Sequence, residues 1–163
     1  MSVFKTTFSR ALTAVKTDDA NIPFPAILEQ GTNTSVVALS LVDSSATFVT
    51  NNVKTGDIVY STSDATAATV LEVVNETTLL LNANIFDTTP TNYIVYAASP
   101  QTTIGNQGCY LYVGVAGNVR VTTIGGDIIT FFGAKAGEVL PVQVIKLWSS
   151  ASGTSAVQLV ALW

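Results

Sequence analysis

The stretch Tyr110-Leu-Tyr-Val-Gly-Val-Ala-Gly-Asn-Val-Arg-Val-Thr-Thr-Ile-Gly-Gly-Asp-Ile-Ile-Thr-Phe-Phe132 decides the fold. Val119, Val121 and Thr123 alternate with Arg120 and Thr122, the period of a half-buried strand. Ala116-Gly117-Asn118 and Gly125-Gly126-Asp127 flank that run and are expected to be hairpin turns, because glycine supplies the positive φ such turns require. Tyr110 and Tyr112 share one strand face, and core packing is expected of them ahead of carbohydrate stacking. Beyond Phe132, residues 136–148 and 157–163 are again rich in β-branched residues. Pro141 belongs at the start or the edge of its strand. No segment has a 3.6-residue apolar period, so the expected class is all-β.

Working outward, residues 35–98 read as a compact β module. Strands are expected at 36–42, from Phe48-Val49, at 58–60, 67–74, 77–81 and 92–97, with turns at 54–57 and at Asn75-Glu76. Ser99 to Gln107 has linker chemistry. Residues 1–34 read as an extended N-terminal arm: the threonines and Val15 disfavour a helix, and Ile22-Pro-Phe-Pro-Ala26 holds the backbone extended. The expected architecture is two small antiparallel β-barrel or sandwich modules, 35–98 and 108–163, the second packing with part of the arm.

Composition narrows the function. Charged residues make up 11% of the 163, against roughly 25% in an ordinary soluble domain. Mean hydropathy is +0.44, yet every apolar run is interrupted before the roughly 18 residues a membrane helix needs. A surface with so little charge suits burial against other subunits, so a homo-oligomer, with a trimer as one option, is expected. Net charge is −4 and the seven Lys and Arg are scattered, which disfavours direct nucleic-acid binding. The first 16 residues lack the apolar core of a signal peptide, so assembly in a cytoplasm is expected.

Catalytic machinery is missing from the sequence. There is no histidine and only one cysteine, which removes the commonest general base and the usual metal sets; no cofactor and no enzymatic role are expected. Cys109 is expected to pack as a small hydrophobe. Asp18-Asp19 reads as a turn or cap, with a contact or ion site as the alternative. Gly114 to Gly117 and Gly125-Gly126 are followed by β-branched residues instead of a helix, so phosphate loops are not indicated.

The C-terminal segment resembles the spike-base family of small head proteins of gene transfer agents and related tailed phages. The resemblance is carried by Leu111-Tyr112-Val113-Gly114, Gly117-Asn118, Gly125-Gly126, Thr130-Phe131, Ala136-Gly137, Leu140-Pro141-Val142 and Ala161-Leu162-Trp163, with Asp19 to Pro23 matching a short opening segment. Lys135 departs from the proline usual there, and Gly153 to Ala156 vary the turn. About half the chain is covered, and the resemblance implies a virion role with residues 35–98 inserted. The leading expectation is therefore a capsid decoration (cement) protein on the virion surface, assembled in the host cytoplasm and bridging subunits of the major capsid protein. A head-spike base or tail-fibre adaptor is the alternative, and a host-glycan-binding module a weaker one. Interface candidates are Phe4, Phe8, Arg10, Ile22, Pro23 and Phe24 in the arm, with Arg120, Trp148 and Trp163 beyond it. On this view the arm reaches a neighbour, and deleting residues 1–25 leaves both modules folded.

Overall fold

The computed structural model describes residues 8–98 and 108–163; the linker expected at 99–107 lies outside them. Two strands come from the stretch read as an arm, β1 (Ala11–Thr13) and β2 (Ile27–Thr32). Next are β3 (Ser35–Val37), β4 (Ser40–Val42), β5 (Ile58–Ser61), β6 (Thr66–Asn75), β7 (Thr78–Leu81) and β8 (Asn92–Tyr96). The series ends with β9 (Tyr110–Val115), β10 (Gly117–Thr123), β11 (Ile128–Ala134), β12 (Val144–Leu147) and β13 (Val157–Leu162). The fold is all-β: these strands form three antiparallel sheets, none closed into a barrel, and no helix occurs among the described residues.

The largest sheet has seven strands in the order β2-β8-β5-β6-β7-β4-β3. Its long strand β6 pairs with β5 over residues 66–69 and with β7 from Val70 onward, through two register shifts. Bulges of this kind bend a strand, and the sheet curls about β6 so that Leu41, Leu79 and Leu81 share one core with Val59, Tyr93 and Val95. Only Asn33 and Thr34 separate its two edge strands in the chain. Asn33 holds that corner: its side chain donates to Thr88 O (2.9 Å) and accepts from Thr91 N (2.7 Å). Inside, Tyr93 lies between the rings of Phe48 and Phe86 and donates its hydroxyl to Asp43 Oδ2 at 2.7 Å. A Cβ on Gly31 would fall 2.6 Å from that carboxylate oxygen and 2.9 Å from the hydroxyl, so this edge position admits only glycine without displacing the pair.

Two expectations for this sheet need correction. Residues 36–42 are not one strand. Leu39 takes φ +53°, which turns the chain back as the β3–β4 hairpin. Phe48-Val49 begins no strand, because the Glu76 carboxylate accepts from Val49 N (2.9 Å), Thr50 N (3.1 Å) and Thr50 Oγ1 (2.7 Å), fixing a turn there.

The remaining sheets, β1-β13-β9 and β11-β10-β12, face each other across a core of Leu111, Val113, Val119, Val121, Leu147 and Leu159. The alternation of Val119 and Val121 is as read from the sequence, and Gly126 (φ +94°) makes the turn between β10 and β11. Ala116-Gly117-Asn118, however, is not a hairpin turn. β9 pairs with β13 while β10 pairs with β11 and β12, so the chain there crosses from one sheet to the other. Gly117 serves close approach: a Cβ would sit 2.5 Å from Ala156 N. Tyr110 and Tyr112 do not pack the core either; Leu111 and Val113 take the inward face.

The described part of the arm is built into its own chain. β1 pairs with β13 and β2 with β8. Between them, Thr17 N bonds Leu147 O (3.1 Å) and Ile22 N bonds Ile145 O (2.8 Å), while Phe24 N bonds Ala97 O (3.2 Å) of the other unit. Asp19 O accepts from Thr69 Oγ1 (2.9 Å) and Asn82 Nδ2 (2.6 Å), and Ala20 packs with Ile58, Tyr60, Ala67 and Tyr96. Residues 14–24 therefore join the two units.

Two predictions follow from this packing. Gly31→Ala should lower unfolding stability by about 1–3 kcal/mol, as overpacking does in a filled interior, measured by urea denaturation. Deletion of residues 1–25 should abolish the single cooperative transition and yield an aggregating chain, against the expectation that both modules survive it.

Candidate interaction surface

Among the described residues no three His, Cys, Asp or Glu side chains come together to hold a metal ion. Cys109 is buried with Sγ 3.5 Å from Val144 O, and burial pushes its thiol up to about 12, so it is inert at neutral pH.

The outer face of the β11-β10-β12 sheet gathers three of its polar and aromatic side chains around Trp148. Arg120 lies 5.4 Å from the indole ring centre and Lys146 Nζ 4.5 Å, and Trp148 Nε1 donates to Thr122 Oγ1 at 3.0 Å. Cations favour the negative face of an aromatic ring. Arg120 also donates to Ser152 O (2.8 Å), so its guanidinium is already held within the chain. Next to it, Asp18 accepts from Ser149 N (3.0 Å), Ser149 Oγ (2.9 Å) and Ser152 Oγ (2.6 Å), while Lys146 Nζ donates to Asp18 O (2.7 Å). The Ser152 hydroxyl, then the Ser149 amide, hold the Asp18 carboxyl below its ordinary value against a smaller opposing effect of burial. Asp18 is thus a cap for the 149–152 turn, the first of the two roles the sequence offered.

The arm candidates are distributed differently. Phe4 lies outside the described residues. Phe8 packs on Tyr110 with ring centres 5.7 Å apart. Arg10 is exposed, lies over Phe24 and donates to Pro25 O (3.1 Å); Phe24 in turn meets Trp163 edge to face at 6.0 Å. Ile22 and Pro23 are buried within this chain, Ile22 in the core under β12, so neither side chain is offered to a partner. Two groupings result, Arg120 with Trp148, and Arg10 with Phe24 and Trp163.

Sequence reading missed the most exposed aromatic group among the described residues. Phe132, on edge strand β11, is 81% exposed. Val119 pairs with Phe131 and Gly117 with Ala134, so Phe132 and Gly133 together stand opposite Asn118 alone. This bulge, with Gly133 at φ +64° and its N–H given to Asn118 Oδ1 (3.1 Å), turns Phe132 outward. The signal was in the sequence: Phe131-Phe132-Gly133 breaks the alternation, and two adjacent aromatic residues cannot both face one core. A groove of about 530 Å³ runs beside the bulge, lined by Phe131, Phe132, Ala134, Lys135, Glu138 and Leu140. Ile128 and Ile129 on the same strand are also exposed.

Comparison with protein-family models, curated proteins and solved structures gives no match.

Asp18→Asn should cost about 1 kcal/mol, below the roughly 1.5–3 kcal/mol of charged hydrogen bonds because solvent screens the exposed group. A carboxyl whose folded pKa is lowered adds stability above its unfolded value of about 3.8, lost as pH falls through the folded one. Stability of the parent chain should therefore converge on that of the variant as pH drops below about 4, tracked by urea midpoints.

Proposed function

We propose that this chain is a structural component of a phage virion that decorates the capsid, bridging subunits of the major capsid protein as a homo-oligomer. One observation carries the assembly role: sheet edges that no strand pairs among the described residues bear apolar side chains where monomers place charge. Ile27 on β2, Val36 and Val37 on β3, and Ile128, Ile129 and Phe132 on β11 are all exposed, and each of these strands ends its sheet. Natural monomers blunt such edges with lysine, proline or a covering loop. Here the edges and the low overall charge favour burial against other chains.

The capsid itself comes from the spike-base resemblance of residues 108–163, which rests on its motifs alone. That resemblance equally supports a spike-base or tail-fibre adaptor role at few copies. The glycan-binding alternative loses its aromatic platform: Phe48, Tyr60, Phe86, Tyr93 and Tyr96 are all buried. Decoration of a shell needs no chemistry, only surface complementarity, and it stabilises the particle by adding contacts between neighbouring shell subunits.

Quantitative mass spectrometry of purified particles should find this chain at a simple ratio to the major capsid protein, and its loss should lower the temperature at which full heads release their genome. Copies confined to one vertex or the tail would favour the adaptor role. Absence from the particle would overturn both.

A further inference from the structure

We propose that two copies of this chain pair edge to edge through β11, antiparallel about a two-fold axis at Thr130, joining three strands from each copy into one sheet. The inference rests on the assembly role above and identifies the contact that makes the oligomer.

The two edges of the β11-β10-β12 sheet differ. The 14–24 strip covers β12, where Leu147 O accepts from Thr17 N (3.1 Å) and Ile145 O from Ile22 N (2.8 Å), and Lys146 places a charge in that strand. Strand β11 pairs with β10 on one side, and among the described residues no strand pairs with the other. It carries no charge from Ile128 to Ala134. Alternate backbone N–H and C=O groups of such an edge point outward and template a further strand.

Self-complementarity names the added strand as a second β11. Ile128 to Phe131 stand opposite Thr122 to Val119 one for one, and the bulge at Phe132-Gly133 ends that register. Side chains alternate, so Ile129 and Phe131 lie with Val121 and Val119 toward the core, and Ile128, Thr130 and Phe132 on the outer face. In an antiparallel pair centred on Thr130, Ile128 of each copy stands opposite Phe132 of the other, Ile129 opposite Phe131, and Thr130 opposite Thr130. Aromatic side chains against β-branched ones, and threonine against threonine, are cross-strand pairs that stabilise a sheet. The two most exposed side chains of the strand, Phe132 at 81% and Ile128 at 54%, thereby cover each other at both ends of the contact.

Charges at the ends fix the direction. Asp127 precedes the uncharged run and Lys135 follows it. Antiparallel pairing carries the acid of each copy toward the base of the other, whereas parallel pairing sets like charges side by side, which is destabilising. On the inner face, Ile129 of each copy reaches Phe131 of the other, which lines the groove of about 530 Å³. A two-fold contact uses each edge once and closes, so it yields a discrete dimer instead of a fibre.

Three full-length proteins test this by sedimentation equilibrium: the parent, Ile128→Lys and Phe132→Glu, each confirmed folded by thermal denaturation. The parent should be a dimer. Each substitution sets a charge against an apolar side chain at both ends of the contact and should weaken self-association by about tenfold or more. Mixing the two variants should restore a one-to-one dimer, because the new lysine then meets the new glutamate while the other end keeps Ile128 against Phe132. A short bis-maleimide should link Thr130→Cys to a second copy, since Cys109 is buried, but not Ile128→Cys, which lies about 13 Å from its own counterpart. A monomeric parent, or a mixture that stays monomeric, overturns the pairing. A parent dimer that both substitutions leave intact also overturns it, with the assembly role left standing. A dimer linked at Thr130 but missing from purified particles upholds the pairing and removes only the capsid.

Discussion

Everything in this molecule depends on a strip of backbone, residues 14–24, that is hydrogen-bonded to two β units at once. Its amides give to Leu159, Leu147 and Ile145 on one side and Ala97 on the other, and its Asp19 carbonyl receives two side chains from the seven-stranded sheet. Buried backbone groups that lose such partners cost free energy comparable to a hydrogen bond each. The strip also carries apolar residues into two cores, Ile22 into one and Ala20 into the other. Each unit is thus completed by residues that precede both in sequence.

That arrangement explains why a chain of such low charge holds together as one body. The seven-stranded sheet curls until its edge strands are chain neighbours, yet stays open, and the two smaller sheets share one core with a groove at one side. Open edges are tolerable when something covers them. In this chain they carry isoleucine, valine and phenylalanine, and the surrounding surface offers little repulsion to keep other chains away.

Much of the fold was legible from residues alone. The alternation at Val119 and Val121, the Gly125-Gly126 turn and the 67–81 hairpin appear where the side-chain period placed them, and the all-β class followed from the missing helical period. What escaped was set by distant partners. Ala116-Gly117-Asn118 looks like a turn locally, but β9 before it finds its mate in β13 while β10 after it pairs onward with β11, and its glycine answers to Ala156. Phe48-Val49 has strand composition, yet Glu76 captures its amides. The arm looked free because its prolines and threonines are extended, and extended backbone serves a neighbour or its own chain equally well. Of the interface candidates, Ile22 and Pro23 lie in that same extended stretch and are buried within their own chain. Phe132 was passed over because a bulge, marked in the sequence only by the break in alternation at Phe131-Phe132-Gly133, decides where it points.

Strand β1 takes its partner from the far end of this sequence: Ala11 pairs with Leu162, and β13 is the central strand of its sheet. On a ribosome making about 5–20 residues per second, the strip emerges on the order of ten seconds before the strand that completes its sheet exists. The seven-stranded sheet, by contrast, has all its strands once residue 96 is out. Synthesis therefore imposes an order on the molecule: one unit can close early, while the small sandwich and its groove come into being last.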